Sequence, residues 1–453
     1  MQKKSIDMTS GPLFSNIIRF TIPIILTGLL QLLFNAADLV VLGQFCGSDS
    51  VGAVGSTGSL INLLVNLFMG LSVGAGVTVA QGLGSGREEE VSRTVHTALP
   101  VAAISGAMLT VLGFFLAPAL LGWMSVPTEY MALSTLYVQI YFLGMVPQMV
   151  YNFGAAILRA AGDTKSPLLF LLFAGVLNVG LNVLFVTAFR MDVAGVALAT
   201  SLSQTLSAVL VVWALARRTD GCRFMWRRMC ICRVPLLRMV RIGVPAGIQG
   251  SLFSISNVLI QSTINGFGPA VVSGFAAGGN IEGFAYVMMN SFHQSAMNFA
   301  GQNVGAGRYD RVRKVIRTSL LCVAVAGVLF GTLIWALAEP LLGLYITDST
   351  KAIEYGVIRL TVTCLPYFLC GLMEVSSGVV RGMGASLLPM LLTVLTVCVF
   401  RVAWVWWVFP LSPTPAFLFV SYPVTWGLNF LAQTGIYAVL IRRRLRRPKP
   451  TET

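Results

Sequence analysis

The chain has 453 residues, of which 56% are hydrophobic and only 11% are charged. This composition excludes a water-soluble globular protein, because such proteins average about 25% charged residues. The formal net charge of +14 would suit a nucleic-acid-binding protein, so the placement of the basic residues has to decide that question.

Apolar stretches recur along the whole chain, and each is long enough for a transmembrane helix, which needs about 20 residues. They are apolar on every face, whereas the strands of a membrane β-barrel alternate in polarity. In chain order the predicted helices span 14–43, 51–80, 94–116, 129–151, 165–188, 193–216, 240–264, 271–298, 315–337, 354–379, 387–409 and 416–441. The sequence therefore predicts an all-α polytopic membrane protein with twelve transmembrane helices.

Basic residues concentrate in alternate loops. They cluster at Lys3 and Lys4, in 217–238, in 308–317 and in the tail from 442 onward, whereas the intervening loops QFCGSDS, NGFGPAV and PLSPTP contain none. By the positive-inside rule both termini are predicted to be cytoplasmic, which requires an even number of spans. The clusters thus indicate topology and contact with membrane lipid, and no nucleic-acid partner is expected.

The first half of the chain recurs in the second half. Four residues of the first predicted helix return at a separation of 241 − 19 = 222: Arg19, Pro23, Gly28 and Asn35 match Arg241, Pro245, Gly250 and Asn257. Six spans bring the chain back to its starting side, so the repeats are parallel. We predict an N-lobe at 1–216, a cytoplasmic inter-lobe loop at 217–238, a C-lobe at 239–441 and a basic cytoplasmic tail at 442–453.

No metal or organic cofactor is predicted. The glycine-rich segments QGLGSGR from Gln81 and QNVGAGR from Gln302 follow apolar helices, not the strand that a dinucleotide-binding loop requires, so we interpret both as structural turns. Cys222, Cys230 and Cys232 lack a fourth ligand at a spacing typical of zinc. Only Cys46 is expected outside, so no disulfide framework follows.

Polar residues within the spans of the N-lobe mark a candidate site, because a charge in a span costs about 2.5 to 3.5 kcal/mol. Asp38 is the one carboxylate in these spans, and Asn178 and Asn182 share a helix face. The predicted set that lines one polar cavity is Gln31, Asn35, Asp38, Asn152, Asn178, Asn182 and Thr200. Asp38 suits reversible protonation, and Asp38, Asn178 and Asn182 could instead coordinate Na⁺. The alternatives are an interfacial Asp38 and an Asn pair that only joins helices.

The C-lobe places its charged residues elsewhere, at Glu282, Glu374 and Arg401. Counting along the helices puts Glu282 and Arg401 at similar depth, which predicts a buried ion pair; a substrate or ion site is the alternative. His293 is expected to be packed or hydrogen-bonded. The tryptophans at 404, 406 and 407 are interpreted as an aromatic belt at the outer interface, with a cation-binding box as the alternative.

Several motifs in this order resemble the multidrug and toxic compound extrusion (MATE) transporters over essentially the whole chain. They are Pro23 followed by Asp38 and Gly43, then LRAAGDTKSP from Leu158, GQNVGAGR from Gly301, and VRGMGASLLP, which repeats the second motif. MEVSSGVVRGMG from Met373 is most similar to the DinF-like bacterial branch.

The resemblance implies two six-helix bundles that form a V-shaped cleft in the bacterial plasma (inner) membrane. It implies a monomeric antiporter, not an enzyme, that exports small organic cations, drugs or metabolites in exchange for H⁺ or Na⁺. The family pattern matches Asp38, Gln31, Asn178 and Thr200, but it has Asp at the position of Asn182. That departure leaves Asp38 as the sole proton acceptor of the N-lobe site.

Two other functions are weighed against the antiporter. A flippase for lipid-linked oligosaccharides needs a strongly cationic cavity for pyrophosphate, and apart from Arg401 we find few basic residues in the spans. A membrane-bound transferase needs clustered acidic or His motifs, and GREEEVSR lacks the spacing of a metal-binding DDxxD-type site.

Overall fold

The computed structural model of the chain describes residues 5–124, 126–347 and 349–445. Lys3, Lys4 and the part of the predicted basic tail at 446–453 lie outside the described residues. Every regular element within the described ranges is helical, as expected for a chain whose backbone polar groups must be satisfied inside lipid. The prediction of an all-α membrane protein is confirmed.

The helices in chain order are α1 (Leu13–Phe45), α2 (Ser48–Gly84), α3 (Glu88–Trp123), α4 (Thr128–Leu143), α5 (Met145–Ala160), α6 (Lys165–Val183), α7 (Asp192–Ala216), α8 (Arg233–Asn265), α9 (Pro269–Gly305), α10 (Tyr309–Ala336), α11 (Ala338–Gly343), α12 (Thr350–Cys364), α13 (Tyr367–Gly382), α14 (Leu387–Thr393), α15 (Phe400–Ala403), α16 (Pro415–Phe419) and α17 (Ser421–Leu445). Three π-helical segments, Leu184–Ala188, Val394–Val399 and Trp404–Val408, extend α6, α14 and α15. Short 3₁₀ turns occupy Trp226–Arg228 and Phe409–Leu411. The π-helical segments locally widen the helices that carry several of the predicted site residues.

Nine helices of the described chain are long and apolar enough to cross a membrane, and the number rises to eleven when two bent pairs each count as one span. These pairs are α4 with α5, bent by 50°, and α12 with α13, bent by 45°. Gly144 and Pro366, which weaken or interrupt a helix, lie at the two breaks. Helix α9 matches the predicted span 271–298 but is too polar to join the nine, so a count of twelve stays a prediction.

The two glycine-rich segments form turns between helices, as predicted. They connect α2 to α3 and α9 to α10, and in each the glycine before the arginine has a positive φ, 70° at Gly86 and 68° at Gly307. Only glycine adopts this backbone conformation without steric cost, which explains its presence at the same position of both repeats.

The chain forms two compact units. Among the described residues, unit 1 contains 5–7 and Ile22–Ser251, and unit 2 contains Met8–Thr21 and 252–445. Their boundaries differ from those of the predicted lobes, because the beginning of α1 belongs to unit 2 and the beginning of α8 belongs to unit 1.

Close packing explains how these two helix beginnings are held. In unit 1, a Cβ atom added at Gly70 of α2 would lie 2.3 Å from the carbonyl oxygen of Gly243 in α8, so only glycine allows the two backbones to approach this closely. In unit 2, the Phe20 ring of α1 meets the Phe299 ring of α9 edge to face, with centroids 5.5 Å apart. The side chain of Asn303 also donates a hydrogen bond to the Met8 carbonyl at 3.0 Å.

The predicted inter-lobe loop is anchored to unit 1. The backbone N–H of Met225 donates to His96 Nε2 at 3.0 Å, and the N–H of Cys232 donates to Thr97 Oγ1 at 3.2 Å. Arg218 pairs with Asp220 within the loop. Burial would raise the pKa of Asp220, but the hydrogen bonds and positive charge of Arg218, together with backbone N–H donors, hold that pKa below its usual range. This segment is therefore an ordered part of unit 1.

Candidate functional site

A chain of hydrogen bonds in unit 1 joins three helices. Asn182 of α6 donates through Nδ2 to Asp38 Oδ1 of α1 at 2.5 Å and to Asn178 Oδ1, one turn earlier on α6, at 3.3 Å. Asn178 in turn donates through Nδ2 to Thr200 Oγ1 of α7 at 3.3 Å, and the Thr200 hydroxyl donates to the Val196 carbonyl at 2.9 Å. We call Asp38, Asn182, Asn178 and Thr200 the polar relay.

Burial increases toward the centre of the polar relay. Asn182 is fully buried and Asn178 is 5% exposed, whereas Asp38 and Thr200 are half-buried. Both hydrogens of the Asn182 amide are used, yet its buried Oδ1 has no partner among the described residues. An unpaired buried carbonyl oxygen is costly, so it marks a place where a donor or a cation is expected to bind.

The remaining predicted residues of this site lie apart from the polar relay. Gln31 and Asn35 are exposed on α1, and Asn152 is half-buried on α5. In the described structure no hydrogen bond links any of the three to the relay. The structure thus brings together four of the seven residues that the sequence grouped.

The polar relay is not repeated at the equivalent positions of unit 2. Adding the repeat separation of 222 to its positions gives 38 + 222 = 260, 178 + 222 = 400, 182 + 222 = 404 and 200 + 222 = 422, which are Ile260, Phe400, Trp404 and Tyr422. Trp404 is buried, with its ring 5.3 Å from that of Phe417. The aromatic-belt interpretation is therefore wrong for Trp404, while Trp406 and Trp407 are exposed as a belt requires.

The predicted ion pair between Glu282 and Arg401 is wrong. Glu282 of α9 instead accepts hydrogen bonds from Arg359 of α12, at 2.8 Å from Nη2 and 3.3 Å from Nε. Arg359 also donates to the Phe275 carbonyl at 2.5 Å and lies over the Phe275 ring, 3.8 Å from its centroid. These contacts satisfy a pair that would otherwise be expensive to bury. Sequence reasoning missed Arg359, although a single arginine inside the predicted span 354–379 was a usable signal.

Arg401 is fully buried and lies among aromatic side chains. Its Nη1 donates to Asn257 Oδ1 at 2.9 Å, and its guanidinium carbon is 4.2 Å from the Tyr422 ring centroid and 5.4 Å from that of Phe253. Its Nε and Nη2 groups have no partner among the described residues. Cation–π contacts offset part of the cost of this buried charge, but no carboxylate of the described residues lies within hydrogen-bonding distance of it.

Glu374 belongs to a third contact set. His293 Nδ1 lies 3.0 Å from Glu374 Oε2 and 2.8 Å from the Glu374 carbonyl, while His293 Nε2 lies 3.3 Å from Arg381 Nη1. Arginine can only donate, so Nε2 accepts and the proton sits on Nδ1, which donates to Glu374. The expectation that His293 is hydrogen-bonded is confirmed. Glu282, Glu374 and Arg401 therefore do not form one site.

The MatE family model matches residues 23–184 and 245–407, more than half of the chain. The two matched stretches begin 222 residues apart, which is the separation of the repeated motifs.

Similar proteins are found among bacterial transporters. The chain is 28% identical over 408 residues to the probable multidrug resistance protein YpnP of Bacillus subtilis, covering 88% of this chain and 89% of that protein. It is 24% identical over 351 residues to the FAD transporter of Shewanella oneidensis, covering 75% and 76%. The fold is also that of the Vibrio cholerae MATE transporter VcmN in its bent form, with a TM-score of 0.87 at 20% identity over 95% of this chain and 98% of the other.

Proposed function

Because this chain belongs to the MatE family of transporters, we propose that it exports organic cations, drugs or metabolites in exchange for inward H⁺ or Na⁺. As a family member it is a multi-pass bacterial membrane protein that exports small organic compounds, and it is not an enzyme. Beyond this family-level function, we propose that the coupling ion is H⁺ or Na⁺ and that the protein is a monomer in the inner membrane with cytoplasmic termini. We also propose that its two parallel repeats provide alternating access.

The polar relay carries the proposal. Asp38 is its one ionisable member and lies at the end of a row of neutral side chains that can reverse their hydrogen bonds. An ionised Asp38 can only accept, which matches the amide N–H that Asn182 now presents. A protonated Asp38 can donate, and the unpaired Oδ1 of Asn182 could accept that hydrogen bond after rotation of the amide. The relay therefore has one arrangement for each charge state of Asp38.

The same oxygens would suit Na⁺. A hard cation prefers carboxylate and amide oxygens, and Asp38, Asn178 and the unpaired Asn182 Oδ1 provide three of them. Binding of either ion neutralises Asp38. In an antiporter the ion must be released again before the substrate is carried outward, so Asp38 returns to its charged state in each transport cycle.

Transport by everted membrane vesicles tests the proposal. Everted vesicles take up the compound that the cell would export, and this uptake is measured with an imposed pH gradient and, separately, with an imposed Na⁺ gradient. Only the gradient of the true coupling ion should drive the uptake. Asp38→Asn keeps the shape of the side chain but removes its charge, so it should reduce gradient-driven transport at least about tenfold, as expected when an essential ion ligand is lost.

Glu129→Gln is the matched control, because it makes the same chemical change at an exposed position at the start of α4. It should transport like the unaltered protein. Undiminished gradient-driven transport by a folded Asp38→Asn variant would contradict the assignment of Asp38.

A second candidate, export of anionic aromatic compounds, rests on Arg401. A buried guanidinium with two unpaired N–H groups beside the Tyr422 and Phe253 rings suits a carboxylate or phosphate carried by an aromatic system. Glu282 neutralises Arg359, which weakens the oligosaccharide flippase alternative because pyrophosphate needs several free cations.

Separate measurements of the transport of an anionic dye and a cationic dye distinguish this candidate from cation export. If Arg401 binds the anion, Arg401→Gln should lower vesicle transport of a carboxylated aromatic dye at least about tenfold, the typical worth of a charge-assisted hydrogen bond. Transport of a cationic dye such as ethidium by the same variant serves as the folding control and should persist. Failure of the unaltered protein to move the anionic dye would rule this candidate out.

A further inference from the structure

A cavity of about 490 Å³ opens between α10 and α17 in unit 2, away from the residues discussed above. Three arginines line it, Arg313 and Arg317 from the first turns of α10 and Arg442 from the last turn of α17. All three are exposed, and no Asp or Glu is among the residues described around the cavity. None of them forms an ion pair with a carboxylate of the described chain. The cavity thus concentrates uncompensated positive charge.

Two hydroxyl groups in the same cavity lack a partner. Tyr437 is 9% exposed, and neither its hydroxyl nor that of Thr434 makes a hydrogen bond within the described residues. Hydroxyl groups donate readily to phosphate oxygens, and arginines bind the same oxygens through two parallel N–H groups. Guanidinium and hydroxyl donors in one cavity are therefore the combination that a phosphate group needs.

The wall of the cavity is apolar, formed by Ile316 and Leu320 of α10 and by Ala438 and Ile441 of α17. Along α10 an exposed apolar stripe continues beyond it through Leu321, Val325 and Val328, spaced four and three residues apart on one helix face. A water-soluble phosphate would gain nothing from this surface, whereas the acyl chains of a lipid would cover it.

We propose that the cavity binds the phosphate of an anionic membrane phospholipid, with its acyl chains along the exposed face of α10. The arginines lie on the side that the positive-inside rule assigns to the cytoplasm, where anionic headgroups attract basic residues. This site is distinct from the polar relay, and the inference does not depend on the transport proposal.

Lipid retention by the full-length purified protein tests the site. Native mass spectrometry in detergent compares phosphatidylglycerol with phosphatidylcholine of the same acyl composition. The unaltered protein should retain phosphatidylglycerol preferentially, and Arg313→Gln combined with Arg317→Gln should weaken retention at least about tenfold, since each basic residue near a membrane surface strengthens anionic lipid binding about fivefold. Tyr437→Phe, which preserves packing, should weaken it about threefold to tenfold through loss of one hydrogen bond.

The matched control is Arg443→Gln combined with Arg444→Gln, which removes the same charge from exposed positions outside the cavity. It should retain phosphatidylglycerol like the unaltered protein. Equal losses in the two arginine pairs, or equal retention of the two lipids, would overturn the proposal in favour of a general surface-charge effect. Displacement of the lipid by millimolar glycerol 3-phosphate would also overturn it, because the site would then recognise a soluble phosphate. If the double variant does not fold, undiminished retention by Tyr437→Phe is sufficient to reject the site.

Discussion

Asn182 has the most constrained environment of the residues in the polar relay. It is fully buried, it donates to Asp38 at 2.5 Å and to Asn178 at 3.3 Å, and its Oδ1 is unpaired. The MATE resemblance has Asp at this position, where a second carboxylate would stand beside Asp38. Asn replaces that like-charge pair with a donor, so the residue at 182 controls how Asp38 is stabilised.

A double-mutant cycle measures this control. Asn182→Leu should destabilise the protein by about 1.5 to 3 kcal/mol, because it removes a hydrogen bond to a charged, partly buried group. In an Asp38→Asn background the same change should cost clearly less, since no carboxylate is left without its donor. Denaturant unfolding of the purified protein in detergent gives the four free energies.

Asn152→Leu provides the comparison, because Asn152 belongs to the predicted site but has no bond to the relay. It should change stability by no more than about 0.5 kcal/mol in either background. The same cost for Asn182→Leu with and without Asp38 would show that the two side chains are not coupled.

The sequence predicts the parts of this site that lie on one helix, but it predicts contacts between helices only where a family resemblance supplies them. Asn178 and Asn182 are four residues apart, so helix periodicity alone places them on one face, and the family resemblance adds Asp38 and Thr200. Counting residues along the helices gives the depth of Glu282 and Arg401 in the membrane, and their similar depth predicts an ion pair. It does not give the direction in which each side chain points around its helix axis. Sequence reasoning therefore missed Arg359 as the partner of Glu282, although Arg359 is the one arginine in the predicted span 354–379.

At the scale of whole elements, the sequence predicts where apolar helices lie but not where they bend. The predicted spans 129–151 and 354–379 each became two helices, bent by 50° and 45°. The second bend lies at Pro366, and it separates α12, which carries Arg359, from α13, which carries Glu374. The bend changes the direction of the Arg359 side chain relative to that of Glu374. Counting residues along a single straight helix therefore cannot locate the partners of these two side chains. Proline marks the position of such a break, but packing determines its angle.

The helix beginnings are a second feature that the repeat pattern does not predict. Sequence similarity assigned all of α1 to the first lobe and all of α8 to the second, yet their first turns pack in the opposite compact units. The cause is local, since glycines at 70 and 243 allow α2 and α8 to approach, and Phe20 packs against Phe299. Homology between halves reports common ancestry, whereas contacts determine which helices pack together.

For the whole molecule, the distribution of arginine predicts which way the chain crosses the membrane. Seven arginines lie in 217–238, whereas the loop from Phe409 to Pro415 contains no basic residue. The positive-inside rule therefore assigns the first segment to the cytoplasm and the second to the outside. Cys230, which is exposed in the basic segment, makes this orientation accessible to chemical labelling.

The pH dependence of that labelling follows from the neighbour of Cys230. Its Sγ lies 2.8 Å from Cys232 Sγ, and this hydrogen bond, with a smaller contribution from burial, raises the pKa of Cys230 above the ordinary thiol value. The thiolate is the reactive form, so a raised pKa means that less of it exists at neutral pH and that labelling accelerates as the pH rises. In a Cys46→Ser background, which removes the cysteine expected outside, a membrane-impermeant maleimide should label Cys230 in everted vesicles about tenfold faster for each unit by which the pH rises toward the pKa. It should not label Cys230 in intact cells.

Two cysteine variants decide between orientation and simple inaccessibility. Cys232→Ala removes the hydrogen bond, so Cys230 should label faster at pH 7.5 in everted vesicles and remain unlabelled in intact cells. Ser412→Cys, in the exposed loop without basic residues, should label from the outside of intact cells in a Cys46→Ser, Cys230→Ser, Cys232→Ser background. Labelling of Cys230 in intact cells as fast as in everted vesicles would reverse the proposed orientation. The positive-inside rule predicts the same side of the membrane for the beginning of α10, the end of α17 and the basic segment, so the cavity between α10 and α17 would then be expected to face the outer leaflet.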